Sequence, residues 1–220
     1  MIKIFNPTKR RIDPSLKKII KKYQRLLNLV VSHGGDGSLL GADRDYPGLP
    51  ILPIRSSKIC NHCYSADNLE NILKSIKAGQ INPKKYMKLI AVFGRNQIIA
   101  LNEINIKCQH PNLALRFSYS INDTNFPDNI ADGLVVATPF GSTAYFKSIA
   151  HTIFSQGIGV AVNNPVNQIP TNVVSNDSII TIKIDREKAY LSADNNPKIY
   201  KLKPGDIVTI KKSLQYALIY

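Results

Sequence analysis

The sequence predicts an α/β plus all-β chain: an N-terminal α/β domain followed by a C-terminal antiparallel β-sandwich-like domain. Three observations predict it. Strand and helix patterns alternate as far as Gly79, the signature of β-α-β units. The pattern then changes near Asn82-Pro83, which sets the expected domains at 1–82 and 83–220, with the last strand returning to the first. Beyond that point short apolar strands follow one another at close spacing. Turns such as Asp194-Asn195-Asn196-Pro197 and Lys203-Pro204-Gly205-Asp206 separate them, as in an antiparallel sandwich.

Residues 1–5 alternate weakly and read as a strand, followed by the turn Asn6-Pro7-Thr8. Asp13 and Pro14 suit the N-cap and first turn of a helix. Leu16, Ile19, Ile20 and Tyr23 then fall at helical spacing with lysines facing outward. Leu29–Val31 is a strand, parallel to the first across the helix. Leu49–Ile54 is another, and Ser65-Ala66-Asp67-Asn68 starts a helix with Leu69, Ile72, Leu73 and Ile76 on one face, stopped by Gly79. In the second domain, strands are expected at Tyr86–Phe93, Gln97–Cys108, Leu113–Ile121 and Gly133–Ala137, with 122–129 a polar loop around Pro127. After a helical interlude they resume at Ile158–Val162, Ile179–Ile184, Ala189–Ser192 and Ile207–Ile210.

Net charge is +14, from 29 Lys+Arg against 15 Asp+Glu. That balance favours polyanions, including nucleotides that carry several phosphates. Apart from clusters such as Lys9-Arg10-Arg11 and Lys17-Lys18 the basic residues are spread along the chain, which argues against a nucleic-acid groove. No apolar run approaches the roughly 18 residues of a membrane span, and the N-terminus has no signal-peptide form. The expected location is cytoplasmic. Three cysteines do not make a disulfide framework. Cys60-Asn61-His62-Cys63 with Cys108-Gln109-His110 could supply four zinc ligands. Unpaired thiols are the simpler expectation.

Two stretches carry chemistry. In Asn28–Leu40 a strand ends in Gly34-Gly35-Asp36-Gly37 and a helix start at Ser38. Glycines there allow positive φ and close approach to a ligand, and unpaired helix N–H groups suit a phosphate. Asp36 would repel that phosphate, so its presence needs a chemical reason. Holding Mg²⁺ is one, and accepting a hydroxyl proton in phosphoryl transfer is another. A plain strand-to-helix turn with Asp36 as cap reads equally well from the residues. The second stretch, Asp132-Gly133-Leu134-Val135-Val136-Ala137-Thr138-Pro139, runs into Phe140-Gly141-Ser142-Thr143-Ala144-Tyr145. Pro139 ends a strand, and small hydroxyl residues then open a helix whose N-terminus could hold phosphate or ribose hydroxyls. An ordinary Ser/Thr-capped helix has the same residues.

The G-G-D-G loop resembles one shared by NAD kinases, diacylglycerol kinases and phosphofructokinases. The second stretch resembles the D-G-L-x-V-x-T-P-x-G-S-T-A-Y segment of NAD kinases, and Asn102-Glu103 resembles that family's asparagine–glutamate pair, in the family's order. The resemblance covers about residues 29 to 150. It implies an α/β nucleotide-binding domain before a β-rich NAD-binding domain, and transfer of a phosphoryl group to the adenosine ribose 2′-hydroxyl of NAD. Asp36 would act as general base or orient that hydroxyl. Gly35, Gly37 and Ser38 would hold phosphates, and Asn102 and Glu103 ribose hydroxyls. Asp132 would bind the nicotinamide carboxamide, with Thr143, Ala144 and Tyr145 lining the NAD site.

The same resemblance implies Mg²⁺ or another divalent cation, ATP or polyphosphate as donor, and a homo-oligomer (dimer or tetramer). The chain departs from the family pattern in several places. The G-G-D-G loop comes early, and Arg55-Ser56-Ser57-Lys58 replaces a glycine- and asparagine-bearing turn. Phe140 stands where a small residue is usual, and Asn195 follows Asp194 where glycine is usual. Two other readings share these features: a non-catalytic NAD(H)-binding regulatory protein, and a lipid or sugar kinase with the G-G-D-G loop.

Overall fold

The computed structural model describes residues 1–7, 12–56 and 60–220. Thr8, the Lys9-Arg10-Arg11 cluster and Ser57-Lys58 of the altered turn lie outside the described residues. Two compact units form, one of Met1–Tyr86 with Tyr216–Tyr220 and the other of Met87–Gln215.

The first unit contains β1 (Lys3–Phe5), α1 (Pro14–Tyr23), β2 (Val30–Gly34), α2 (Asp36–Asp45), β3 (Ile51–Arg55) and α3 (Leu69–Lys77). β1 and β3 flank β2, both parallel to it, which helical crossovers make possible. α1 starts as its residues require. The Asp13 carboxylate accepts from the Ser15 N–H at 2.7 Å, and Pro14 occupies the first turn where no N–H is needed. α3 follows a 3₁₀ turn over Ala66–Asn68 and ends before Gly79, whose φ of 72° only glycine adopts cheaply. Leu16, Ile20 and Tyr23 of α1 pack with Leu69, Ile72, Leu73 and Ile76 over Val31, Leu52 and Ile54. That apolar layer presents the C-terminal end of β2 at a fixed place.

The second unit is built from most of β4 (Lys84–Phe93), β5 (Asn96–Ala100), β6 (Glu103–Cys108), β7 (Leu115–Ile121), β8 (Thr124–Ala131), β9 (Gly133–Ala137), α4 (Tyr145–Ala150), β10 (Ile158–Asn163), β11 (Asn172–Val174), β12 (Ile180–Arg186), β13 (Ala189–Ala193), β14 (Tyr200–Leu202) and most of β15 (Ile207–Ile219). One sheet has the order β11-β10-β9-β6-β13-β14, every pair antiparallel. The other runs β15-β12-β7-β8, also antiparallel, with the β4–β5 hairpin joined to β15. Residues of both sheets form a shared apolar core, including Leu89, Ile106, Phe117, Leu134, Ile182, Leu191 and Ile210. The end of β15 belongs to the first unit, where Ile219 pairs in parallel with Ile51 of β3. No helix among the described residues is long and apolar enough to cross a membrane.

Three expectations are corrected. The stretch 122–129 is a turn followed by most of β8, not a loop. β8 pairs with β7 alone in its sheet order, and the register shifts between Phe117 and Tyr119 opposite Pro127, so the proline sits where a ladder donor is dispensable. The long strand expected over Gln97–Cys108 is two strands, broken at Leu101-Asn102. The strand expected to stop at Ile210 runs on to Ile219.

Phe117 is wholly buried in the sandwich core. Replacing it with alanine is expected to destabilise the protein by about 3–5 kcal/mol, the usual cost of a large aromatic cavity. Urea unfolding monitored by circular dichroism measures this as a lower midpoint at unchanged slope.

Candidate active site

In the first unit, β2 ends at Gly34 and α2 begins at once, with Gly35 as its N-cap and Asp36 as its first residue. Gly35 has φ −121°, ordinary extended backbone, and Gly34 and Gly37 are not among the positive-φ glycines. The expected left-handed turn is therefore absent. Gly34 instead serves close approach, because a Cβ there would collide with the Ser38 side chain. Asp36 does not cap its helix either. Its Oδ2 accepts from the Asn61 N–H at 3.0 Å and its Oδ1 from the His62 N–H at 3.3 Å. The loop supplying those amides is pinned on both sides: Arg55 donates to the Cys60 carbonyl at 2.9 Å, and Ser56 N–H to the Gly34 carbonyl at 2.9 Å. Ser38 is buried, and its N–H donates to the Gly35 carbonyl at 2.9 Å within the first turn.

Cys60 and Cys63 are joined as a disulfide, with Cα atoms 5.6 Å apart. The expectation of unpaired thiols is overturned for these two. The short loop folds back so that both sulfurs reach each other, well inside disulfide range. Cys108 is a free thiol. The group of three potential metal ligands among the described residues is Asp36 with Cys60 and Cys63, all ligand atoms within 4.8 Å. Cys108 and His110 are not part of it.

The second unit carries a candidate site of its own, built at the break between β5 and β6. Asp194 sits at the end of β13 with φ 48°. Its carboxylate accepts three consecutive N–H groups, from Leu101 at 2.8 Å, Asn102 at 2.8 Å and Glu103 at 3.0 Å. The freed carbonyls are taken from the other side. Thr138 Oγ1 donates to the Leu101 carbonyl at 2.6 Å, and Thr138 N–H to the Asn102 carbonyl at 2.8 Å. A Cβ at Gly141 would collide with the Asn102 backbone, so the G-S-T segment can lie against this loop only with glycine there. Asn102 and Glu103 are buried, yet Asn102 Oδ1, Glu103 Oε2 and the neighbouring Asn105 Oδ1 have no hydrogen-bond partner among the described residues. Such atoms are uncommon in folded proteins and call for a ligand or ordered water. Burial, reinforced by the charge of Asp194, pushes the Glu103 carboxyl up to about 8, against the opposing effects of Lys107 and Asn105.

Asp132 is exposed between β8 and β9, where Gly133 passes so close to β6 that a Cβ would meet the Ile106 carbonyl. Its Oδ2 accepts from Asn164 Nδ2 at 3.2 Å. Asn163 Nδ2 donates to the Tyr145 hydroxyl at 3.4 Å, and Lys107 Nζ lies 4.1 Å from the centre of the Tyr145 ring. Lys107, Gly133 and Asn163 stand in register on β6, β9 and β10, which explains the gathering. Gly141–Thr143 is a 3₁₀ turn, and α4 starts only at Tyr145. The helix therefore begins four residues later than the start expected at Gly141. Thr143 and Ala144 are exposed and Tyr145 half-buried.

The segment of Asn102 and Glu103 thus lies against the one carrying Thr138 and Gly141, and Asp132 and Tyr145 meet the adjacent Asn164 and Asn163. Sequence reasoning missed Asp194, Lys107, Asn163 and Asn164. Asp194 was visible as the first residue of a turn and as a family-pattern position followed by Asn195 instead of glycine, with no role attached, and the Asn163-Asn164 pair only as the polar end of an apolar strand.

The sequence profile of the ATP-NAD kinase C-terminal domain matches residues 101–220, more than half of the chain. An NAD kinase of Methanosarcina mazei is 31% identical over 195 residues, covering 85% of this chain and 67% of the relative. A bifunctional NADP phosphatase/NAD kinase of Methanocaldococcus jannaschii is 28% identical over 202 residues. The match covers 86% of this chain but only 35% of that relative. An NAD kinase from Archaeoglobus fulgidus in complex with ATP superposes with a TM-score of 0.81 at 21% identity, over 100% of this chain and 92% of that one. The fold is therefore that of this ATP-bound kinase structure, an α/β unit followed by a β-sandwich. The profile and the Methanosarcina match narrow the class further: the chain belongs to the NAD kinase family.

Glu103 makes stability depend on pH. Its carboxyl titrates near 4.5 when unfolded and about 8 when folded. Between those values the folded state holds a proton that the unfolded chain has released, so stability falls as pH rises across that window. The melting temperature is expected to decline from pH 5 to pH 8, and Glu103→Gln to flatten the decline. Calorimetric scans of both proteins across this range measure it.

Proposed function

We propose that this chain is an NAD kinase that transfers a phosphoryl group from ATP or polyphosphate to the adenosine ribose 2′-hydroxyl of NAD. The observation that carries the reading is the Asn102–Glu103 loop, whose buried polar atoms lack partners while its backbone is fully held. Pairs of ribose hydroxyls are the ligand chemistry that suits it. An amide oxygen accepts from one hydroxyl, and a carboxyl that keeps its proton up to about pH 8 can donate as well as accept. Asp36, held by two amides, would take the proton of the attacking hydroxyl or orient it, which is positioning rather than covalent chemistry. Gly35, Gly37 and Ser38 would approach the donor phosphates. Asp132 and the Thr143–Tyr145 segment would meet the nicotinamide end. A chain of net charge +14 suits two substrates rich in phosphate.

Mg²⁺ requires oxygen ligands. The group at Asp36 offers one carboxylate and two sulfurs, so these residues do not make a magnesium cage and no step is assigned to that ion. Cytoplasmic location and assembly into a dimer or tetramer belong to the same proposal, the assembly on family resemblance alone. Sedimentation showing only monomer at micromolar concentration would remove the assembly.

Asp36→Asn is expected to lower NADP formation by roughly 10²–10⁴-fold, the usual range for a lost general base, while NAD still binds. An NADP-specific cycling assay with ATP or polyphosphate, alongside calorimetric NAD titration, reads both. NAD binding by the wild type without NADP from any donor would make the protein a non-catalytic NAD(H)-binding one. No NAD binding at all would point to a lipid or sugar kinase instead.

A further inference from the structure

We infer that Cys60 and Cys63, once reduced, form with Asp36 a binding site for a soft divalent cation of the zinc class, and that loading it withdraws Asp36 from the phosphoryl-transfer site. The second half of this statement rests on the function proposed above; the first does not. The two sulfurs and the Asp36 carboxylate lie within 4.8 Å of one another, and Cys60 Sγ is 3.2 Å from Asp36 Oδ1. A tetrahedral zinc with bonds of about 2.3 Å to sulfur and 2.0–2.2 Å to oxygen needs ligand separations of roughly 3.5–4 Å, so small movements bring the three into place. Cys60 is buried, and the Asn61 and His62 amides hold the carboxylate beside the sulfurs. Three protein ligands leave the fourth position to water.

The chemistry selects the ion. Thiolates favour zinc-class metals and disfavour Mg²⁺. In the disulfide each sulfur is bonded to the other and has no proton for Asp36, so their contact is a close approach without hydrogen bonding. A phosphine converts the disulfide and one water into two thiols and a phosphine oxide. Zinc then displaces both thiol protons into solvent and binds two thiolates and the Asp36 carboxylate. Binding therefore weakens as pH falls, and oxidation closes the site. The metal would occupy the oxygens that the proposed transfer requires.

The test reads metal directly, without turnover. Co²⁺ is titrated into phosphine-reduced protein and followed by thiolate-to-cobalt charge-transfer absorption, and Zn²⁺ is titrated by calorimetry. One ion per chain, the charge-transfer band, and loss of both in the disulfide form are expected. Cys60→Ser/Cys63→Ser should abolish binding, and the oxidised wild type repeats that test without mutation should the double variant not fold. Asp36→Asn should weaken Zn²⁺ by at least the roughly 10–100-fold that losing a ligand's supporting partner costs. No cobalt band in the reduced wild type, equal binding by the serine variant, or unchanged affinity in Asp36→Asn would each overturn the site. If the metal binds and NADP formation persists undiminished at saturating Zn²⁺, the withdrawal of Asp36 is overturned while the site stands. A protein that never makes NADP leaves the metal result intact and refutes only the kinase reading and the withdrawal tied to it.

Discussion

The carboxylate of Asp194 is the constraint on which the second unit's site depends. Three consecutive N–H groups point at one side chain, an arrangement available only where the backbone leaves the ladder. Each of those donors would cost about 1–3 kcal/mol if buried and unpaired, so the break between β5 and β6 exists because the carboxylate fills it. Asp194 reaches them from a left-handed conformation that aspartate tolerates better than most residues. Its own N–H donates to the Glu103 carbonyl, locking the end of β13 to the start of β6. From the other face Thr138 takes the remaining carbonyls. With the backbone satisfied, the side chains of Asn102 and Glu103 keep polar atoms that nothing internal uses. Satisfying the main chain so completely is what leaves the side chains open to a ligand.

Asp194 has a second consequence. The burial of Glu103, reinforced by that residue's charge, holds it as a neutral acid well past the usual carboxylate range. Two carboxylates joined through one backbone segment thus take different parts: one stays an acceptor for amides, and the other gains a proton it can donate. The same device recurs at Asp36, where the Asn61 and His62 amides fix both oxygens. Each unit's candidate site therefore has a carboxylate clamped by main-chain donors, one on the β2–α2 turn and one after β13.

Strong local signals were legible in the sequence. The Asp13-Pro14 cap, the apolar faces of α1 and α3 and the parallel β1–β2 pair follow from residue pattern alone, because local hydrogen bonding and burial decide them. Asn102, Glu103, Asp132 and Tyr145 were named as candidate site residues through family resemblance alone. The rest depends on partners distant in sequence. Leu101-Asn102 continues an apolar run, and only Asp194, some ninety residues later, breaks it into two strands. β8 looks like a loop because its polar residues and Pro127 are tolerated in a strand that pairs on one side. The glycines of the G-G-D-G turn suggested left-handed backbone, whereas Gly34 makes room for Ser38 at ordinary angles. Backbone freedom and lack of a side chain look alike in a sequence.

The loop at 60–63 separates anchoring from side-chain chemistry. Asp36 is held by the N–H groups of residues 61 and 62, which any residue but proline could supply. Arg55 fixes the same loop through the Cys60 carbonyl, again a main-chain group. The anchoring therefore places no demand on residue type at 60 or 63. Two cysteines nevertheless stand there, with sulfurs next to a carboxylate that two main-chain amides hold. A disulfide spanning a loop of so few residues removes little freedom from the unfolded chain, so stabilisation alone is a weak reason for the pair. Sulfur beside an acidic oxygen is a ligand set, and its availability is decided by whether the two sulfurs are bonded to each other.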